Sequence, residues 1–358
     1  MNFAIRADSS FEIGTGHTMR CITLAEALRQ KGHNCFFISK THEGNINNQI
    51  IKKNFNLHEI NTSPYRKNEK EQTMHYHWLG SSWSNDAQQT EAILRKINPD
   101  WIIVDHYSLD YLWHKKVSKY VKNIMVIDDL ADRKLYCNIL LDQNLGAEKS
   151  QYNPLVPENC KKFLGPKYSL LRPEFSNFRK KSLLKRNTGK LEKLLINFGG
   201  GDKLNLTEKV LHTLHKMQLT ENISIDVVMG PQASMPNNLS NYTHKIKINF
   251  LKNIANMAEV MMNADLAISA GGSTTWERCS LGLPSIIFSV ADNQKKIAKN
   301  IEEIGAGVTL PLESLSDGTF QDTFKEFFNN ELLLKYSKAA ASITDGTGIN
   351  NVVGGFYD

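Results

Sequence analysis

The stretch Asn2-Phe3-Ala4-Ile5-Arg6-Ala7-Asp8, with Gly14-Thr15-Gly16-His17-Thr18-Met19-Arg20 close behind it, decides how this chain is read. The first part is apolar and strand-like, and the second sets a glycine-flanked imidazole where a first strand turns into a first helix. In an open α/β sheet that turn faces the ligand crevice. Glycines let backbone approach a ligand, a new helix presents unpaired N–H groups, and imidazole suits proton transfer near neutral pH. Gly14-x-Gly16 lacks the third glycine of a dinucleotide fingerprint, which disfavours a nicotinamide site. The competing reading is that His17 only caps or packs at a helix start.

Apolar residues at Met19, Ile22, Leu24, Ala25 and Leu28 carry helical spacing up to the stop at Gly32. Asn34 to Ser39 reads as the next strand, completing a parallel βαβ unit. Trp101 to Asp105, Asn123 to Asp128 and Ile139 to Asp142 are apolar runs that each end in a carboxylate, as in a parallel sheet covered on both faces. The polar stretch from Asn61 to Asp86 has no clear period and reads as loop or weak helix. A second α/β series starts at Leu194 to Phe198, which ends in Gly199-Gly200-Gly201-Asp202, and continues through strands at 223–229, 266–269 and 285–289. The expected fold class is α/β, two doubly wound Rossmann-type domains with a small-molecule site in a cleft between them. The boundaries expected are 1–175 for the first domain, a basic and apolar-poor linker over 176–192, and 193–340 for the second. Residues 341–358 are expected to pack back on the first domain.

A chain of 358 residues has room for two cores. The net charge of +6 comes from scattered basic residues and forms no continuous stripe, so no nucleic-acid partner is expected. The five cysteines are widely spaced without a CxxC pair, which suits reduced thiols. Without an apolar run of about 18 residues or a leader-like N-terminus, a cytoplasmic protein with no membrane span is expected. A monomer is the expected state.

Ala270-Gly271-Gly272-Ser273-Thr274-Thr275-Trp276-Glu277 is the second strong signal. Paired glycines permit close approach, a helix start favours phosphate, and Glu277, about one turn inside, is placed to accept two hydrogen bonds from a ribose diol. The alternative is a capping glutamate with Ser273 or Thr274 as its partner. Gly199 to Gly201 repeat the glycine-rich device. Asp105-His106-Tyr107 ends a strand: Asp105 reads as able to orient an imidazole and Tyr107 to bond a sugar, whereas turn chemistry suits His106 better. Asp128-Asp129 reads mainly as turn and cap residues, since neighbours in a strand point to opposite faces. His75-Tyr76-His77 alternates like a ligand set but lacks companions at zinc spacing, so no metal is expected. Asp292-Asn293-Gln294 reads equally as an N-cap or as amides that meet a sugar.

Arg6-Ala7-Asp8 with Gly14 to Arg20, Val104-Asp105-His106-Tyr107, Asp128-Asp129-Leu130, Leu141-Asp142-Gln143-Asn144, Leu171-Arg172-Pro173-Glu174-Phe175, the Gly271 to Glu277 motif and Asp292-Asn293-Gln294 follow in this order. In that combination, over roughly residues 1 to 310, the chain resembles the UDP-sugar hydrolases of the pseudaminic acid pathway. The resemblance implies a GT-B-like fold, shared with the peptidoglycan glycosyltransferase that adds N-acetylglucosamine. It implies hydrolysis, without metal or cofactor, of UDP-2,4-diacetamido-2,4,6-trideoxy-β-L-altrose to UDP and the free sugar. By the same resemblance His17 is the catalytic base, Tyr107 a cleft residue, Glu277 the nucleotide-binding glutamate and Asn293 a substrate contact. Arg6, Asp8, Gly14, Gly16, Arg20, Gly199, Gly200, Gly271, Gly272, Ser273 and Thr274 are expected to line substrate and UDP. Two other readings stand beside it: a GT-B glycosyltransferase that moves the sugar to an acceptor, and a non-catalytic UDP-sugar-binding protein.

Overall fold

The computed structural model describes residues 1–63, 73–217, 219, 223–230, 233–236, 247–252, 254, 256–290 and 292–357, the side chains of Asp292 and Asn293 excepted. The chain divides into two units, residues 1–170 with 349–358, and residues 171–348.

Seven parallel strands form the sheet of the first unit: β1 (Asn2–Ala7), β2 (Asn34–Lys40), β3 (Asn56–Ile60), β4 (Trp101–Asp105), β5 (Asn123–Ile127), β6 (Ile139–Asp142) and β7 (Lys161–Leu164). Their order is β3-β2-β1-β4-β5-β6-β7. The chain winds outward in both directions from β1 and β4, so the switch point lies between those two strands, where ligands of such sheets bind. Register pairs Ala7 with Asp105, which places the loop after β1 beside the end of β4. Two apolar layers cover the sheet. One, around Phe3, Ile5, Ile103 and Met125, also contains Ile349, Val352, Val353 and Phe356 from the C-terminal end. Phe356 meets Phe3 and Trp101 edge to face, with centroids 5.0 and 4.9 Å apart.

The second unit repeats the plan with β8 (Lys193–Asn197), β9 (Ser224–Met229), β10 (Lys247–Lys252), β11 (Leu266–Ala270), β12 (Ser285–Phe288) and β13 (Gly307–Leu310), ordered β10-β9-β8-β11-β12-β13. All pairings are parallel, and the switch point lies between β8 and β11, whose following loops are the two glycine-rich ones.

The structure differs from the expectation over 176–192. Residues Pro173–Arg186 form a helix of the second unit, with Phe175, Ser182 and Arg186 buried. Polar anchoring explains why composition hides it: Arg186 donates to the carbonyls of Met261, Met262 and Ala264, and Ser182 Oγ to that of Leu281. Of the stretch read as loop or weak helix, Asn61 to Asp86, residues 64–72 lie outside the described residues, and its last four begin a full helix, Trp83–Ile97, whose start is capped by Ser82 Oγ accepting from Asn85 N at 3.2 Å.

Candidate active site

In the first unit the loop after β1 closes on itself: Gly14 N donates to Ser10 O at 2.9 Å, and Gly14 takes φ +80°, where a side chain would be strained. The helix Gly16–Gln30 begins two residues later with Thr15 as N-cap and no side-chain cap bond. His17 does not serve as the cap. Its Nδ1 lies 2.6 Å from Asp105 Oδ1, across the switch point. One turn along the helix, Arg20 donates to the same carboxylate through Nε and Nη2, both at 2.6 Å. Burial alone would raise the pKa of Asp105, yet the Arg20 and His17 partners hold it well below the usual carboxylate range. A charged Asp105 assigns the proton to Nδ1 and leaves the lone pair on Nε2. Among the described residues no protein group bonds that Nε2, and the His17 side chain is only 10% exposed.

Tyr107, two residues beyond Asp105, is buried and donates its hydroxyl to Asp129 Oδ1. Burial and the Asp129 charge push the phenol up, so it remains a neutral donor. Asp129 Oδ2 lies 3.7 Å from Arg20 Nη1, which ties Tyr107 to the His17 side of the site. Turn chemistry falls to Asp128 alone, which accepts from the amides of Leu130 and Ala131 and pairs with Arg133 at 2.7 Å. The correction for Asp129 follows from the opposite facing of adjacent residues: one carboxylate folds the turn and the other faces Tyr107 and Arg20.

Arg6 and Asp8 also need correction. Both are fully buried, joined at 2.5 and 2.8 Å, and Arg6 reaches Asp86 at 2.7 Å. Asp8 further accepts from Lys40 N, and His106 Nε2 lies 3.1 Å from it. With their polar atoms used inside the unit, they fasten the end of β1 to β2 and to the helix Trp83–Ile97 and do not line a ligand site. His106 belongs to the same network, its Nδ1 accepting from Ser108 N at 3.1 Å.

The turn Tyr76–Leu79 sets a row of rings beside His17. Tyr107 meets the imidazole edge to face at 4.7 Å and 85°, and Trp78 at 6.2 Å and 74°. Trp78 stacks on Tyr107 at 5.5 Å and 29°. Among the described residues no group of three or more His, Cys, Asp or Glu is placed to hold a metal ion.

At the end of β6, Asp142 accepts from Asn144 N and Tyr152 Oη, each at 2.9 Å. Burial, opposed by those bonds and aided by Asp129 and Asp128, pushes its pKa up to about 7 from an ordinary 3.8. A carboxyl that ionises late in the folded state costs stability once the unfolded chain ionises, so stability falls as pH rises from about 4 to about 7 and stays lowered above that. Asp142→Asn is expected to flatten this dependence, gaining on the order of a few kcal/mol over the parent at pH 8 and little at pH 4. Urea midpoints at the two pH values measure it; parallel pH profiles for the two proteins would contradict it.

In the second unit Gly199 takes φ +83°, and a Cβ at Gly230 would strike Gly199 O at 2.3 Å, so the loop that holds Gly199 and Gly200 lies against the end of β9. Asp202 closes that loop by accepting from Leu206 N and Thr207 N at 2.8 and 3.0 Å. After β11, Gly271 packs against Gln294, and a Cβ there would lie 3.3 Å from Gln294 O. The helix Thr274–Ser280 follows, with Ser273 exposed and making no side-chain cap bond, so the capping alternative lacks its hydrogen bonds. Glu277 is half-buried, and among the described residues its carboxylate pairs with Arg172 Nη2, at 3.5 Å. Loss of solvent raises its pKa and Arg172 opposes the rise. Asn293 lies in the helix Asp292–Glu303, and its side chain is outside the described residues.

Arg278 went unread in the sequence because nothing in its spacing marks it. It is 1% exposed and donates to Thr274 Oγ1, Thr275 Oγ1 and Ala270 O of the glycine-rich loop, with Nε unpartnered among the described residues. No acidic side chain pairs with it among the described residues, and burial pushes its pKa down to about 10. A buried cation under this loop with no directly paired carboxylate among the described residues favours an anion there.

Residues 194–350 match the model of the glycosyltransferase family 28 C-terminal domain. The chain is 30% identical, over 83% of its length, to the uncharacterized protein MJ1062 of Methanocaldococcus jannaschii, and spans only 57% of that protein. It is 25% identical to the spore coat polysaccharide biosynthesis protein SpsG of Bacillus subtilis, over 98% of this chain and 96% of that one. It is 26% identical to the UDP-2,4-diacetamido-2,4,6-trideoxy-beta-L-altropyranose hydrolase of Campylobacter jejuni, over 61% of this chain and 68% of that one. Among solved structures, MurG of Acinetobacter baumannii superposes with a TM-score of 0.68 at 15% identity, covering 99% of both chains.

Proposed function

We propose that this protein, which has the GT-B fold and a second unit of the glycosyltransferase family 28 type, is a nucleotide-sugar hydrolase. Its proposed substrate is UDP-2,4-diacetamido-2,4,6-trideoxy-β-L-altrose, and its products are UDP and the free diacetamido sugar. The observation that carries the reading is the His17 Nε2, without a protein partner among the described residues, while Asp105 holds the opposite ring nitrogen at 2.6 Å. An imidazole fixed in that tautomer takes a proton from water as the water oxygen attacks the anomeric carbon. The bond from that carbon to the β-phosphate oxygen then breaks, and UDP leaves with the electron pair. A base so placed is worth about 10²- to 10⁴-fold. In the second unit, Arg278 and the amides of the Gly271–Thr275 loop favour the charge that develops on the phosphate, and Glu277 accepts from the ribose hydroxyls. The likeness to the Campylobacter hydrolase supports the choice of sugar.

The test is proton NMR of the purified chain with this UDP-sugar and water alone. Appearance of UDP and free sugar is expected, and an unchanged nucleotide sugar overturns the reading. The match of residues 194–350 to a glycosyltransferase family favours, as the second reading, attack by an acceptor hydroxyl, for which turnover would wait on an added acceptor.

Glu277→Ala is expected to weaken UDP binding about tenfold or more, the loss of a charge-assisted hydrogen bond of roughly 1.5–3 kcal/mol. Calorimetric titration with UDP measures it. Unchanged affinity would return Glu277 to a role in the helix alone.

A further inference from the structure

The turn at residues 75–79 is built more firmly than a surface connection requires. Ser108 Oγ donates to His75 O at 2.5 Å, and Trp78 N returns to the same carbonyl at 2.9 Å. Lys40, whose ammonium is buried, donates to Leu79 O at 2.6 Å, and Leu79 itself is buried. His77 Nε2 meets Glu12 Oε1 at 2.9 Å, which ties the turn to the loop that leads into His17. His75 then supports the rings from behind, 4.4 Å from Trp78 and 5.4 Å from Tyr107. The effect is to hold the half-buried Trp78 edge to face beside an imidazole whose side chain is 10% exposed and whose Nε2 has no partner among the described residues.

We propose that Trp78 limits the space at His17 Nε2 to a water molecule, so that it sets the choice of water over a carbon-bearing alcohol as the attacking nucleophile. The proposal rests on the hydrolase reading above and names the residue that makes a GT-B framework hydrolytic. Water occupies about 30 Å³ of liquid volume, and each carbon of an alcohol must find further room beside the anchored rings. In both reactions the nucleophile's oxygen bonds the anomeric carbon, the carbon–oxygen bond to UDP breaks, and the proton goes to Nε2. Only the group left on the sugar differs, hydroxyl from water or an alkoxy group from an alcohol.

The test compares the parent chain with Trp78→Ala, Trp78→Leu and Trp78→Phe, each given the UDP-sugar in buffer containing methanol, with mass spectrometry of the products. The parent and Trp78→Phe are expected to give free sugar almost exclusively. Trp78→Ala and Trp78→Leu are expected to release UDP while the ratio of methyl glycoside to free sugar rises about tenfold or more, the discrimination one or two carbons command in a shaped pocket. Either truncated variant releasing UDP with the parental product ratio overturns the proposal and leaves the hydrolase reading standing. Absence of UDP release from the parent overturns both.

Discussion

His17→Asn is expected to lower UDP release from the nucleotide sugar by about 10²- to 10⁴-fold and to leave the affinity for UDP unchanged. The first effect follows because water near neutral pH is a weak nucleophile and the other polar groups at the end of β4 are committed elsewhere. Asp105 is held charged by Arg20, His106 is committed to Asp8 and Ser108, and Tyr107 donates to Asp129. The second effect follows because the residues assigned to the nucleotide, Glu277, Arg278 and the Gly271 loop, belong to a different unit with its own core. Single-turnover rates and calorimetry with UDP separate the two. A variant that turns over at nearly the parental rate would remove His17 from the chemistry, and one that loses UDP affinity equally would make it a binding residue.

Asp105→Asn is expected to be nearly as damaging, by about 10²- to 10⁴-fold, although Asp105 is fully buried behind His17 and Arg20. The carboxylate keeps the proton on Nδ1, whereas an amide presents its NH₂ to the ring and permits the tautomer in which Nε2 carries the proton and is no base. The same substitution leaves Arg20, 9% exposed, without its two bonds at 2.6 Å, and breaking a buried ion pair costs about 3–5 kcal/mol. Urea denaturation reads the stability loss, and rates taken well below the unfolding transition read the catalytic loss. A variant destabilised but catalytically intact would mean that Asp105 only holds the helix in place.

How far the fold was legible depended on the strand. Inner strands such as β4, β5, β8 and β12 carry runs of three or four apolar residues because both faces are covered, and the sequence displays them. Lys161–Leu164, Lys247–Lys252 and Gly307–Leu310 lie at sheet edges and leave most of their side chains only partly buried, so no apolar run announces them. In the site, the glycine-flanked His17 and the strand-ending Asp105 and Tyr107 were readable because strand ends at a switch point are where such groups collect. Arg6 and Asp8 carry equally suggestive chemistry, yet they close on one another and on Asp86, some 80 residues away, a pairing no local pattern reveals. Asp129, Arg278 and Trp78 were missed for a related reason. Their significance lies in what surrounds them: a tyrosine hydroxyl, a loop without a counter-charge, and an imidazole needing cover.

The central claim, that water attacks the anomeric carbon under the control of His17, is tested most directly by turnover in ¹⁸O-labelled water with mass spectrometry of the released UDP. Cleavage between the anomeric carbon and oxygen leaves UDP unlabelled, and that is the result predicted. Label on the β-phosphate of UDP would place the attack at phosphorus and contradict the account.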